Sequence, residues 1–103
     1  MEQKQNPLTV FAQEAPGVSA AFNNLVEALR ATNGLDEKTK HLLYIGIKAA
    51  MGDNTAVYYH VPMAKSLGAT RAEVKDALLI TVTVCGIQAI ANCLPAAMEI
   101  YDR

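Results

Sequence analysis

Between Lys40 and Gly52 the chain carries a single charge, at Lys48. The run His41-Leu42-Leu43-Tyr44-Ile45-Gly46-Ile47-Lys48-Ala49-Ala50 is apolar around most of a helical circumference. Such a helix must be covered on several sides. Asp36 offers a side-chain N-cap, Glu37 sits favourably near the positive end of the dipole, and Gly52 supplies a stop. A chain of 103 residues fits one domain. At that size it hides roughly two thirds of the surface its unfolded form exposes. Only 18% of residues are charged, against about 25% in an ordinary soluble domain. Too few charges remain to coat a small sphere. The expectation is an all-α bundle that hides apolar surface between copies as an obligate homo-oligomer.

The rest of the chain supports helices. Residues 1–17 read as a polar N-terminal arm interrupted by Pro7 and Pro16, and residues 18–103 as one all-α domain. Ala21, Phe22, Leu25, Val26 and Leu29 recur at three- and four-residue steps, which predicts a helix over 18–31 closed by Asn33-Gly34. Asp53-Asn54 makes a turn, and a helix opening at Asn54 or Thr55 runs to Gly68 with Pro62 inside it. That proline predicts a kink near Tyr58–Pro62 beside His60. Thr70-Arg71-Ala72-Glu73 is a capping box that opens a further helix at Arg71. Ile80-Thr81-Val82-Thr83-Val84 alternates and is β-branched, a local strand signal. The spacing of Val74, Ala77, Leu78, Thr81, Val82 and Cys85 favours helix instead. Pro95 is expected to open or bend a last helix ending near Tyr101.

Several function classes are disfavoured. The net charge is −1, with no basic run and no Trp, so the footprint of a nucleic-acid binder is missing. The uncharged stretch Ala77–Met98 is long enough to span a bilayer, but polar residues, Gly86 and Pro95 mark it as a buried helix. The N-terminus MEQKQNPLTV lacks the apolar run of a signal peptide. Two cysteines, Cys85 and Cys93, do not make a disulfide framework; on one straight helix they would stand about 12 Å apart. A cytoplasmic setting is expected.

Chemistry centres on His60. Its helical neighbours Ala56, Met63, Ala64 and Leu67 are apolar. It therefore fits either an inert core histidine or a general acid/base, since imidazole titrates near neutral pH and burial lowers that value. His41 lies about as far before Gly52 as His60 lies after it, and fits either an exposed first-turn residue or a second imidazole at the site. No spaced set of Asp, Glu or Cys completes a metal site around the two, so no metal is expected. Of Tyr58 and Tyr59, at most one can face the same pocket, and Tyr59 is the candidate. Lys48 fits an anion partner or a snorkelling surface residue. Asp53 reads as a turn or capping residue. Cys85 and Cys93, in apolar surroundings without a neighbouring base, read as small core residues.

Three strings also carry a resemblance: Ala49-Ala50-Met51-Gly52 followed by Tyr59-His60, Leu67-Gly68-Ala69-Thr70-Arg71-Ala72-Glu73-Val74, and Cys85-Gly86-Ile87-Gln88-Ala89-Ile90-Ala91-Asn92. In this order and spacing, over roughly residues 36–101, the chain resembles the carboxymuconolactone decarboxylase and alkyl hydroperoxidase D superfamily. The resemblance implies an all-α fold built on a helical hairpin and assembly as trimers or hexamers. Redox members carry Cys-x-x-Cys-x-x-x-His, and the two cysteine positions here hold Asp53 and Ala56. They also place a glutamate where this chain has His41. The third string departs from the decarboxylase branch at Gln88, which replaces a proline, and at Asn92, which comes one residue late. Without the dithiol, thiolate attack on peroxide lacks its sulfur. The favoured expectation is cofactor-free decarboxylase or isomerase chemistry on a small carboxylated lactone or related organic acid. In it His60 is the acid/base, and Lys48, Tyr59 and His41 are the substrate-binding candidates. The alternatives are a variant redox protein using Cys85 or Cys93, and a non-catalytic oligomer.

Overall fold

A computed structural model describes residues 6–103, which are arranged as two compact units that divide after Gly34. The described residues are 79% helical and contain no strand. The all-α expectation holds.

The first unit is a pair of helices, α1 (Pro7–Glu14) and α2 (Pro16–Ala31). The arm expected over residues 1–17 falls in part on residues 1–5, outside the described residues. Its remainder is helical rather than loose. Pro7 and Pro16 do not interrupt: each sits in the first helical turn, where a missing N–H costs nothing and the fixed φ suits the helix. The Asn6 side chain caps α1 by accepting from the Leu8 N–H at 2.9 Å. Phe11 and Phe22 meet edge to face, with ring centroids 5.9 Å apart, and tie the two helices together. α2 ends at Ala31, where the spacing predicts, but its cap differs from expectation. The C-cap is Thr32, in an extended conformation, with the Thr32 hydroxyl donating to the Leu29 carbonyl. Gly34 takes no left-handed cap.

The second unit holds α3 (Glu37–Ala50), α4 (Thr55–Ser66), α5 (Arg71–Leu79), the single turn α6 (Val82–Cys85) and α7 (Gln88–Tyr101). α3 and α4 form the expected hairpin around Gly52, whose φ of 83° is the left-handed conformation that glycine adopts cheaply. The Asp36 carboxylate caps α3 by accepting from the Thr39 N–H at 2.7 Å. Thr70 and Glu73 complete the capping box of α5 in both directions.

α7 packs against α3, α4, α5 and α6 and is the spine of the core. That core is built from small and branched residues: Ile45 and Ala49 of α3, Val57, Val61 and Ala64 of α4, Val74 and Leu78 of α5, and Ala89, Cys93 and Ala97 of α7. Alanines at these positions let the helix backbones approach closely. At Gly46 the approach is closest, since a Cβ there would stand 3.0 Å from the Ala77 carbonyl oxygen.

The long uncharged stretch is helical but not continuous. α5 ends at Leu79 and α6 at Cys85, and Gly86, with φ of 73°, turns the chain into α7. The Thr81 hydroxyl donates to the Leu78 carbonyl at 2.6 Å and the Cys85 thiol to the Thr81 carbonyl at 3.3 Å, so short side chains satisfy the broken ends. Pro95 lies inside α7, which already begins at Gln88, and so does not open it. Cys85 and Cys93 stand on separate helices as free thiols. No helix among the described residues is long and apolar enough to cross a membrane.

Candidate functional site

His41 in the first turns of α3 and His60 in α4 face each other across the hairpin. Their Nδ1 atoms are 3.5 Å apart, and their rings are tilted by 36° with centroids 5.6 Å apart. That is the outer limit of a hydrogen bond. At most one of the two nitrogens donates to the other, according to tautomer. Tyr44 packs on the other side: its ring centroid lies 4.1 Å from that of His60, at 38°. Both histidines are half-buried.

The cause lies in the α3 sequence. His41, Tyr44 and Lys48 follow at steps of three and four, so they line one face of the helix. That face meets α4 at His60, two residues before Pro62, which cannot donate to the Tyr58 carbonyl. The Lys48 ammonium lies 5.7 Å from the Tyr44 ring centroid and 3.6 Å from the Asp53 carboxylate.

Electrostatics hold His60 neutral. Burial pushes its imidazole below the ordinary value of 6.5, and the nearby His41 and Lys48 push in the same direction. A neutral imidazole at neutral pH is available as a proton acceptor, and once protonated it gives the proton up readily.

The expected site residues thus separate. His60, His41 and Lys48 gather around Tyr44. Tyr59 does not: it is exposed, with no ring contact or hydrogen bond among the described residues, and Tyr58 is exposed as well. Tyr44, not singled out from the sequence, was discoverable from its place between His41 and Lys48 on one helical face. Asp53 is a capping residue as read: its Oδ1 accepts from the N–H groups of Thr55 and Ala56 at 3.1 and 3.4 Å. Among the described residues no three His, Cys, Asp or Glu side chains converge as a metal site. Burial pushes the Cys93 thiol up, aided by Asp53 and Cys85.

An open concavity of about 660 Å³ lies between α3 and α5, lined mainly by apolar side chains, among them Leu43, Ile47, Ala77, Ile80 and Val84. His41 and His60 are not part of its lining.

The carboxymuconolactone decarboxylase family model matches residues 16–99. The chain belongs to the carboxymuconolactone decarboxylase family. A crystal structure of a carboxymuconolactone decarboxylase family protein from Legionella pneumophila, in its apo form, superposes with a TM-score of 0.82 at 26% identity. The match covers 92% of this chain and 84% of that one. An uncharacterised protein of Methanocaldococcus jannaschii is 25% identical over 93 residues, or 90% of this chain and 87% of that protein. As a carboxymuconolactone decarboxylase family protein, the chain has its hairpin, histidine pair and capping box inside the matched region.

Proposed function

We propose that this protein carries out cofactor-free acid/base chemistry, of decarboxylase or isomerase type, on a small carboxylated lactone or related organic acid. The observation that carries the reading is the contact of His41 with a His60 kept neutral by burial and by its neighbours. Loss of CO2 from such a substrate breaks a carbon–carbon bond and leaves its electron pair delocalised toward the lactone carbonyl. A proton must then be delivered to carbon, and moving the double bond requires a proton to be removed and returned. His60 serves as that acid/base, and His41 is placed to exchange a proton with it. Lys48, whose charge acts on His60, serves the substrate carboxylate. Tyr44 holds the His60 ring in orientation. The raised affinity of the Cys93 thiol for its proton weighs against a redox role for Cys93, which needs a thiolate.

The protein acts, in this reading, as a cytoplasmic trimer or hexamer. Leu43, Ile47, Met51, Ile80 and Val84 are 49–81% exposed in the single chain. Grouped apolar exposure of this kind marks an association surface.

The test is CO2 release from carboxymuconolactone by the purified protein. Wild type releases CO2, and His60→Ala loses about 10²- to 10⁴-fold in rate, as expected on removal of a general acid/base, while keeping its helical spectrum. An inactive wild type, or an undiminished His60→Ala, refutes the reading.

A further inference from the structure

Lys48 stands in the last turn of α3 and Asp53 two residues before α4, on either side of Gly52. Lys48 Nζ and Asp53 Oδ2 are 3.6 Å apart. A tight charge-assisted hydrogen bond measures about 2.7–2.9 Å, so this pair is loose. The other carboxylate oxygen is engaged elsewhere, accepting from the Thr55 and Ala56 N–H groups. Asp53 is therefore anchored to the start of α4 whether or not Lys48 touches it. The Lys48 side chain is 30% exposed and the Asp53 side chain 40%, so an incoming anion reaches both.

We propose that Asp53 sets substrate specificity as a resident carboxylate that occupies Lys48 until the carboxylate of an organic-acid substrate displaces it. The inference deepens the acid/base reading and rests on Lys48 being its anion partner. Exchange of one carboxylate for another keeps the half-buried ammonium paired throughout, whereas an unpaired charge in that position is unfavourable. It also sets a threshold. A weakly held inorganic anion gains little by competing with a tethered carboxylate. An organic acid that adds contacts along the face of Tyr44 and His60 gains enough. The displaced Asp53 loses one loose ion pair and keeps its two backbone partners.

The experiment is a titration with succinate at neutral pH, followed by the ring resonances of His60 in wild type, Asp53→Asn and Lys48→Met. Asparagine retains an oxygen for the Thr55 and Ala56 N–H groups, so α4 keeps its cap. A partly exposed ion pair contributes up to about 1 kcal/mol, and its removal as competitor corresponds to about two- to fivefold tighter succinate binding in Asp53→Asn. Lys48→Met binds more weakly than wild type. Equal or weaker binding by Asp53→Asn, or no binding to any of the three, overturns the proposal. If Asp53→Asn does not fold, Asp53→Ser, which also retains a capping oxygen, replaces it with the same expectation. The readout does not depend on turnover. A wild type that releases no CO2 but shows the succinate pattern sinks the acid/base reading alone. CO2 release with no effect of Asp53 sinks this inference alone.

Discussion

The Nδ1 atoms of His41 and His60 lie 3.5 Å apart although 19 residues separate them in the chain. The turn at Gly52 creates this proximity, and it has an electrostatic consequence: a proton on one imidazole opposes a proton on the other. Burial adds to that opposition. Two protons on the pair are therefore disfavoured relative to two isolated histidines.

Acid should destabilise the protein before its carboxylates titrate. Folded His60 resists the proton that an unfolded imidazole accepts near pH 6.5. As pH falls below that value, the unfolded state binds more protons than the folded one, and stability declines until the folded imidazole is also protonated. The carboxyls of Asp36, Glu73 and Asp102 are held low and act in a lower window, beneath their ordinary values of 3.8 and 4.5. Urea midpoints between pH 7.5 and 5.5 should fall in wild type and fall less in His60→Gln. Identical slopes would remove His60 as the cause.

Gly46→Ala should destabilise the second unit. An added methyl gains about 1 kcal/mol in helix propensity, but it meets the Ala77 carbonyl oxygen at 3.0 Å. That atom is backbone and cannot rotate away, and overpacking costs about 1–3 kcal/mol. The net expectation is a lower thermal midpoint. A raised midpoint would show that α3 and α5 separate easily.

The capping box gives a cleaner magnitude. Thr70→Ala removes the acceptor for the Glu73 N–H, 3.1 Å away. The loss is about 1 kcal/mol, and for a domain near this size about 4–8 °C in midpoint. Thr70→Ser should recover most of it. Differential calorimetry of the three proteins decides.

Replacing both thiols separates acid/base from redox chemistry. Cys85→Ser with Cys93→Ala should leave CO2 release within about twofold of wild type, since neither sulfur touches the histidine pair in the proposed mechanism. A loss beyond tenfold, with the fold intact, would return the thiols to the site.

Much of this arrangement is legible in the chain. Asp36, Gly52, Thr70 and Glu73 mark helix ends by local rules, and each does in the structure what its residue type predicts. Where reading and structure part, the cause is physical. Pro7 and Pro16 read as breaks because proline spoils a helix interior, yet at a helix start the same residue is favourable. The break at Gly86 competes with apolar periodicity that runs straight through it, and only packing of α7 against four helices decides in its favour. At the site, Tyr59, the candidate read from the sequence, adjoins His60 in the chain but is exposed. Tyr44 is the ring in contact, because adjacency along a helix points side chains apart while spacing of three and four brings them together. The 3.5 Å approach itself depends on how α3 and α4 cross, which no local pattern specifies.

The central claim is that His60, held neutral by its burial and by His41, moves the proton. The most direct measurement is the pH dependence of kcat/KM for CO2 release in wild type and His41→Ala. The account predicts an ionisation below pH 6.5 in wild type that moves upward in His41→Ala, because the variant removes both the opposing charge and part of the cover on His60. An ionisation that stays in place, or a wild-type profile with none in that range, would contradict it.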